Sequence, residues 1–312
     1  MGRRVRFRAL AAAAAASVAL GGCGLGAGRA PSAVQLLVTR DFGAGVVRHS
    51  EAPKLQGEET AMSLLVRNAE HVTTRFGGGF VQSIDGISGG QEAGEPVDWF
   101  YYVNGVQATK GAASTKVHAG DQIWWDHHDW SQTEQVPAVV GSFPEPFLHG
   151  IGGKRLPVRV ECADVTGSAC RTVVARLRQV GVPTGIAGIG PVGEPDSLHV
   201  LVGPWTSVRR DLSAQSIDRG PRASGVYASF PQGGGTLTVL DQRGAVVRSL
   251  RSGTGLIAAT RHAEDAPVWV VTGTDASGVD LAARSFEETV LRDHFAVALT
   301  AAGALPLPEA GR

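Results

Sequence analysis

Trp99-Phe100-Tyr101-Tyr102-Val103-Asn104-Gly105-Val106 is the stretch that decides the fold of the N-terminal half. Aromatic and β-branched residues flanking Asn-Gly are the strongest short-range hairpin signal, because the tight turn needs positive φ at both central positions. Strand alternation places Trp99, Tyr101 and Val103 on one face and Phe100 and Tyr102 on the other. C-terminal to it, the turn Gly120-Asp121 leads into a second strand, Gln122-Ile123-Trp124-Trp125-Asp126. On the N-terminal side, Val34 to Thr39 reads as a strand, and Ala61, Leu64, Leu65 and Ala69 fall at helical spacing behind Thr60, a suitable N-cap. The glycines Gly77-Gly78-Gly79 break the chain before a short strand, Phe80 to Ile84, which ends in the turn Asp85-Gly86. Residues 34–130 thus give strand, helix, strand, hairpin, strand.

The spaced pattern Gly79-Phe80-Val81, Ile84-Asp85-Gly86, Trp99 through Gly105 and Gly120 through Trp125 resembles a family of bacterial surface domains similar to the C-terminal domain of transcobalamin. The resemblance implies a β-grasp-like domain over residues 34–131, a mixed sheet gripping one helix. In transcobalamin-type proteins this domain closes over one face of a cobalamin held by a larger helical domain. The resemblance therefore implies a corrinoid or a related cofactor as bound ligand.

Residues 132–156 are rich in proline and glycine (Pro137, Pro144, Pro146, Gly150, Gly152, Gly153) and read as a semi-rigid connector. Its apolar residues Val139, Val140, Phe143, Phe147 and Leu148 argue that it lies on a surface. Beyond it, residues 157–301 alternate strands and helices: strands at 157–162, 198–202, 225–230, 236–240, 268–272 and 295–299, a helix carrying Val173, Val174, Leu177 and Val180, and a last helix with Val279, Ala282, Ala283, Phe286 and Val290 on one face. Gly185 to Gly190 reads as a proline-flanked loop, and residues 302–312 as a flexible tail. The fold class expected is α+β, a β-grasp-like domain followed by a second α/β domain with a mixed sheet.

At the N-terminus, Arg3, Arg4, Arg6 and Arg8 precede the apolar run Ala9 to Leu20. That run is too short to span about 30 Å of hydrocarbon as a mature helix, and reads as an export signal over residues 1–22. Leu20-Gly21-Gly22-Cys23 resembles the lipobox of bacterial lipoproteins, which implies acylation of Cys23, a tether over residues 23–33, and a place on the outer face of the cytoplasmic membrane. An ordinary secretory signal is the rival reading.

Lys and Arg balance Asp and Glu at 29 each over 312 residues, and four of the basic residues lie in the signal. With no basic cluster in the remainder, charge gives no reason to expect a nucleic-acid partner. In an exported chain Cys162 and Cys170 read as a disulfide; their spacing is too wide for the C-x-x-C of most metal pairs and redox dithiols.

The densest polar cluster is Asp126-His127-His128-Asp129-Trp130. Alternation sets Asp126 and His128 on one side and Trp125 and His127 on the other, so only two ligands converge locally where a closed metal site needs three or four. A ligand site at the sheet edge and a polar strand exit with hydrogen-bonded histidines both fit. The aromatic set has two readings as well: core beneath the helix, or a platform for a flat ligand. The aromatic set is Trp99, Tyr101, Trp124, Trp125 and Trp130, and the ligand-binding residues expected of such a platform and the neighbouring histidines are Trp99, Tyr101, Trp125, His127, His128 and Trp130. No P-loop, G-x-S-x-G or H-E-x-x-H appears, so no catalytic residue and no enzyme activity is expected. These features together predict a membrane-anchored lipoprotein that binds a small ligand for a membrane transporter. A structural lipoprotein holding another envelope protein is the alternative, and a hydrolase with its site in the second domain a third.

Overall fold

The computed structural model describes residues 1–2, 33–50, 54–190, 196–231 and 233–310. The signal segment, Cys23 and the tether lie outside these residues, apart from Met1, Gly2 and Ala33. The described residues from 33 to 310 pack as one compact unit. No helix among the described residues is long and apolar enough to cross a membrane.

The N-terminal half runs β1 (Gln35–Arg40), β2 (Gly45–Ser50), α1 (Ala61–Asn68), β3 (Val72–Arg75), β4 (Phe80–Ile84), β5 (Ile87–Ser88), β6 (Gly90–Glu92), β7 (Glu95–Val103), β8 (Val106–Gln107) and β9 (Gln122–Asp129). Its main sheet has the order β2-β1-β9-β7-β6, with β8 paired to β7. β1 and β9 are parallel and the other neighbours antiparallel, so the sheet is mixed, as expected. A small antiparallel sheet, β3-β4-β5, stands beside it. The Asn104-Gly105 turn takes positive φ at both residues, 53° and 75°. Thr60 caps α1, its hydroxyl accepting from the Ser63 amide while the Ser63 hydroxyl accepts from the Thr60 amide.

Alternation decides what each face of this sheet covers. Leu36, Val38, Trp99, Tyr101, Val103, Ile123 and Trp125 pack against Ala61, Leu64 and Leu65 of α1. The opposite set, Leu37, Phe100, Tyr102 and Trp124, packs against Val136 and Val139 of the connector and against Tyr227, Leu240 and Phe295 from the C-terminal half. The connector is therefore a wedge buried between the two halves, with Val136, Val139, Val140, Phe143 and Phe147 all in the core.

The C-terminal half runs β10 (Val158–Cys162), α2 (Ser168–Gln179), β11 (Thr184–Gly188), β12 (Leu198–Pro204), α3 (Trp205–Val208), α4 (Leu212–Gln215), α5 (Pro221–Ser224), β13 (Ala228–Ser229), β14 (Leu237–Leu240), β15 (Val246–Leu250), β16 (Gly255–Thr260), β17 (Val268–Gly273), α6 (Ala276–Arg284), α7 (Glu288–Leu291), β18 (Ala296–Thr300) and β19 (Gly303–Leu307). Its large sheet has the order β11-β10-β12-β17-β16-β18-β19, parallel from β11 to β17 and antiparallel beyond. α2 and α6 cover one face together with Phe143 and Phe147; Trp205, Ile217 and Phe230 cover the other. Cys162 and Cys170 form a disulfide with Cα atoms 5.9 Å apart, tying the end of β10 to the first turn of α2.

The structure corrects several expectations here. Residues 184–188, read as a loop, form edge strand β11, because the Gly-rich segment pairs in parallel with β10. Residues 303–307, read as a flexible tail, form β19 on the other edge. Pro306 is tolerated there since an edge strand leaves one side of its ladder unpaired. The last helix is two, since Ser285 ends α6 and α7 starts at Glu288.

Candidate functional site

The platform residues are placed largely inside the protein. Trp99, Tyr101, Trp125, His127 and His128 are all buried, and Trp130 is half-buried at the strand end. The Trp99 indole donates to the Ile87 carbonyl at 3.1 Å, and Tyr101 stacks on Trp125 with centroids 4.8 Å apart. His127 sits 3.1 Å from the Ser88 carbonyl and against Trp99. These rings are the core beneath α1, so they offer no open face for a flat ligand. The cause is the depth of β9: both faces of its strand are covered, one by α1 and one by the C-terminal half.

On the second face, Asp126 and His128 share a side as alternation requires, and they form a buried latch. The Asp126 carboxylate accepts from the amides of Phe42 at 3.1 Å and Gly43 at 2.9 Å, from the Thr39 hydroxyl, and from His128 Nδ1 at 2.7 Å. Phe42 and Phe100 sandwich the imidazole at 4.4 and 4.5 Å. The latch fixes the β1–β2 turn onto β9; it is closed to solvent. Among the described residues no three His, Cys, Asp or Glu side chains converge to hold a metal ion.

An open site lies elsewhere. A cavity of about 520 Å³ is lined by Gln35 and His49 from β1 and β2, Gly120 and Gln122 at the entry to β9, Gly141 to Glu145 and His149 from the connector, and Glu288, Arg292 and Asp293 from α7 and the segment after it. It thus falls between the first sheet, the connector and the C-terminal half, and its volume lies in the range of small-molecule sites.

Its floor is ionisable. Glu145 is only 6 % exposed, and accepts twice from His149, from the backbone amide at 2.9 Å and from Nδ1 at 2.5 Å. Burial pushes the Glu145 carboxyl above the ordinary range, against the downward pull of the His149 amide, charge and ring. With Nδ1 engaged, Nε2 is the imidazole's remaining polar atom. The ring lies on Gly120, whose φ is +90°; a Cβ there would come within 2.5 Å of the imidazole. Beside this pair, the buried Asp121 carboxylate accepts from the His118 amide and from Asn104 Nδ2, both at 2.8 Å, and Asn104 also donates to the Gly150 carbonyl. The hairpin turn residue thereby ties β9 to the end of the connector.

At the rim, Arg292 pairs with Glu288 at 2.7 Å. Burial raises the Asp293 carboxyl, with His49, Arg292 and His294 pulling the other way. The Ser142 hydroxyl is buried without a hydrogen-bond partner among the described residues. The cavity therefore presents donors, acceptors and charges of both signs next to Phe143, Pro144 and Leu148. None of its residues figured among the sequence candidates. The signal present was Glu145 and His149 at i and i+4 in a segment read only as connector.

A second acid–base chain lies in the C-terminal half. Ser197 Oγ is 2.9 Å from His199 Nε2, and His199 Nδ1 is 2.8 Å from a Glu161 oxygen. Burial alone would raise the Glu161 carboxyl, but the hydrogen bond and charge of His199 and the Gly190 amide hold it below the ordinary range. The order Ser–His–carboxylate is that of a nucleophile, its base and an orienting acid. Ser197 is only 1 % exposed, so the hydroxyl is closed to substrates in this conformation.

A family model described as a domain of unknown function (DUF4430) matches residues 58–129. The match spans α1 through β9, less than a quarter of the chain, and of the cavity's lining it includes only Gly120 and Gln122. No curated protein matches the sequence.

Proposed function

We propose that this chain is an extracytoplasmic lipoprotein, anchored through an acylated Cys23, whose cavity between the two halves holds a small polar ligand in support of uptake. The observation that carries the reading is the cavity itself. It is built from three separate parts of the chain, and its lining includes the buried Glu145 paired with the half-buried His149. Such a place, where two packed units meet and a few polar groups converge on a partly apolar wall, is a preferred position for ligand sites. Its size suits a drug-sized molecule, and its mixed charges suit a solute that both donates to carboxylates and accepts from Arg292. A corrin ring stacked on the sheet is not supported, since the aromatic faces are taken up by α1 and the C-terminal half.

The test is thermal melting of the chain from Gly24 onward against a panel of corrinoids, haem, amino acids, short peptides and sugars. A ligand at about 100 times its Kd adds roughly 2.7 kcal/mol to stability, a readily measured shift. The expected result is a rise with one polar class that His149→Ala diminishes. No rise with any member, or a rise that His149→Ala leaves intact, counts against the reading.

A further inference from the structure

The β3–β4 hairpin ends in a tip that carries two exposed aromatic rings. Phe76 is 84 % exposed and Phe80 59 % exposed, and the two rings meet edge to face at 6.1 Å. Three successive residues hold the tip in left-handed backbone: Phe76 at φ 52°, Gly77 at 69° and Gly78 at 95°. A bulky side chain in that region is strained, and two phenyl rings in water are unfavourable on top of that strain. Two cations neighbour the tip. Arg75 precedes Phe76 and reaches Asp98 at 3.7 Å. Lys110 is exposed in the loop against the tip, where a Cβ on Gly111 would lie 3.7 Å from the Gly79 carbonyl.

We propose that Phe76 and Phe80 insert into the interfacial layer of a phospholipid bilayer, with Arg75 and Lys110 at the depth of anionic headgroups. An apolar apex backed by cations is the arrangement that partitions into this layer. A second copy of the chain fits less well. Two copies together bring four phenyl rings at about 150–250 Å² each, below the ~1,200–2,000 Å² total of a stable interface. The contact is separate from the proposed acyl anchor and does not need it. Where the anchor is present, ten residues from Cys23 to Ala33 reach at most about 33–36 Å, which holds the start of the folded unit within that distance of a membrane.

The experiment is co-sedimentation of the chain from Gly24 onward with phospholipid vesicles at millimolar lipid. This chain lacks the anchor but retains the whole compact unit, so the outcome is independent of whether Cys23 is acylated. One vesicle set is phosphatidylcholine alone, the other equal parts phosphatidylcholine and phosphatidylglycerol. The expected result is binding that is tighter on the mixed vesicles and weakened by salt. The double variant Phe76→Ser with Phe80→Ser should lower partitioning at least ~10-fold at unchanged melting temperature. A Phe76→Trp variant should shift its emission to the blue on adding vesicles. No sedimentation of the unaltered chain, equal sedimentation of the double variant, or unshifted emission overturns the proposal. So does a concentration-dependent dimer that the double variant abolishes, which would assign the tip to a second copy.

Discussion

His149 and Glu145 are joined twice: one carboxylate oxygen accepts from the His149 amide at 2.9 Å, and the other is 2.5 Å from Nδ1. The pair closes one turn of the connector, and both residues line the cavity. Because burial holds the Glu145 carboxyl above the ordinary range, its contribution to stability is present at low pH and is lost as pH rises through the raised folded value. Lowering the pH from neutrality through the glutamate range should therefore raise the melting temperature of the unaltered chain relative to Glu145→Gln. Melting curves of the two chains across that range check this; a difference that does not change with pH contradicts it.

Asp85 has the opposite sign. Its carboxylate accepts from the Glu70 amide at 2.8 Å, the His71 amide at 3.0 Å, and Arg48 Nε and Nη2 at 3.0 and 2.8 Å. Burial alone would raise the carboxyl, but the two amides and the guanidinium outweigh it and leave it below the aspartate range. Its stabilisation is present above the ordinary aspartate value and is lost as pH falls through the lowered folded value. Asp85→Asn is expected to cost about 1–3 kcal/mol near neutrality, with the gap closing in acid. Chemical denaturation at the two ends of the range measures it.

Trp125 serves the core. It stacks on Tyr101 and faces α1. Trp125→Ala should destabilise by about 3–5 kcal/mol, the range for large aromatic truncations. A chain that keeps its stability and loses only ligand response would return this residue to a binding role.

Ser197 sits in a hydrogen-bonded chain with His199 and Glu161 but is buried. A fluorophosphonate probe is expected to leave it unmodified under native conditions, as read by peptide mass spectrometry. Labelling of Ser197 that His199→Ala abolishes would reopen the hydrolase reading.

Elements whose signals are local were legible in the sequence. The hairpin around Asn104-Gly105, the Thr60 cap, the two faces of residues 99–103 and the Cys162–Cys170 disulfide each depend on neighbours along the chain. β16 was not legible. Gly255-Leu-Ile-Ala-Ala-Thr260 is buried at every position, so it lacks alternation, and its alanines carry little strand propensity. β2 was missed because it is an edge strand with Arg48 and His49 in its middle. The burial of the platform rings has two causes that no local pattern reveals: α1 covers Trp99, Tyr101 and Trp125, and the C-terminal half covers the face that carries His128. The cavity was beyond sequence reading because its walls come from segments more than two hundred residues apart, from Gln35 to Asp293. No local motif marks such a convergence.

The most direct measurement is calorimetric titration of the chain from Gly24 onward with a ligand from the melting panel, beside a variant that blocks the cavity. Gln35 is exposed at the start of β1 and lines the opening, so Gln35→Trp obstructs entry without entering the core. A site between the two halves predicts saturable binding that Gln35→Trp abolishes at unchanged melting temperature of the free protein. Equal affinity in both chains, or no heat with any member of the panel, would contradict it.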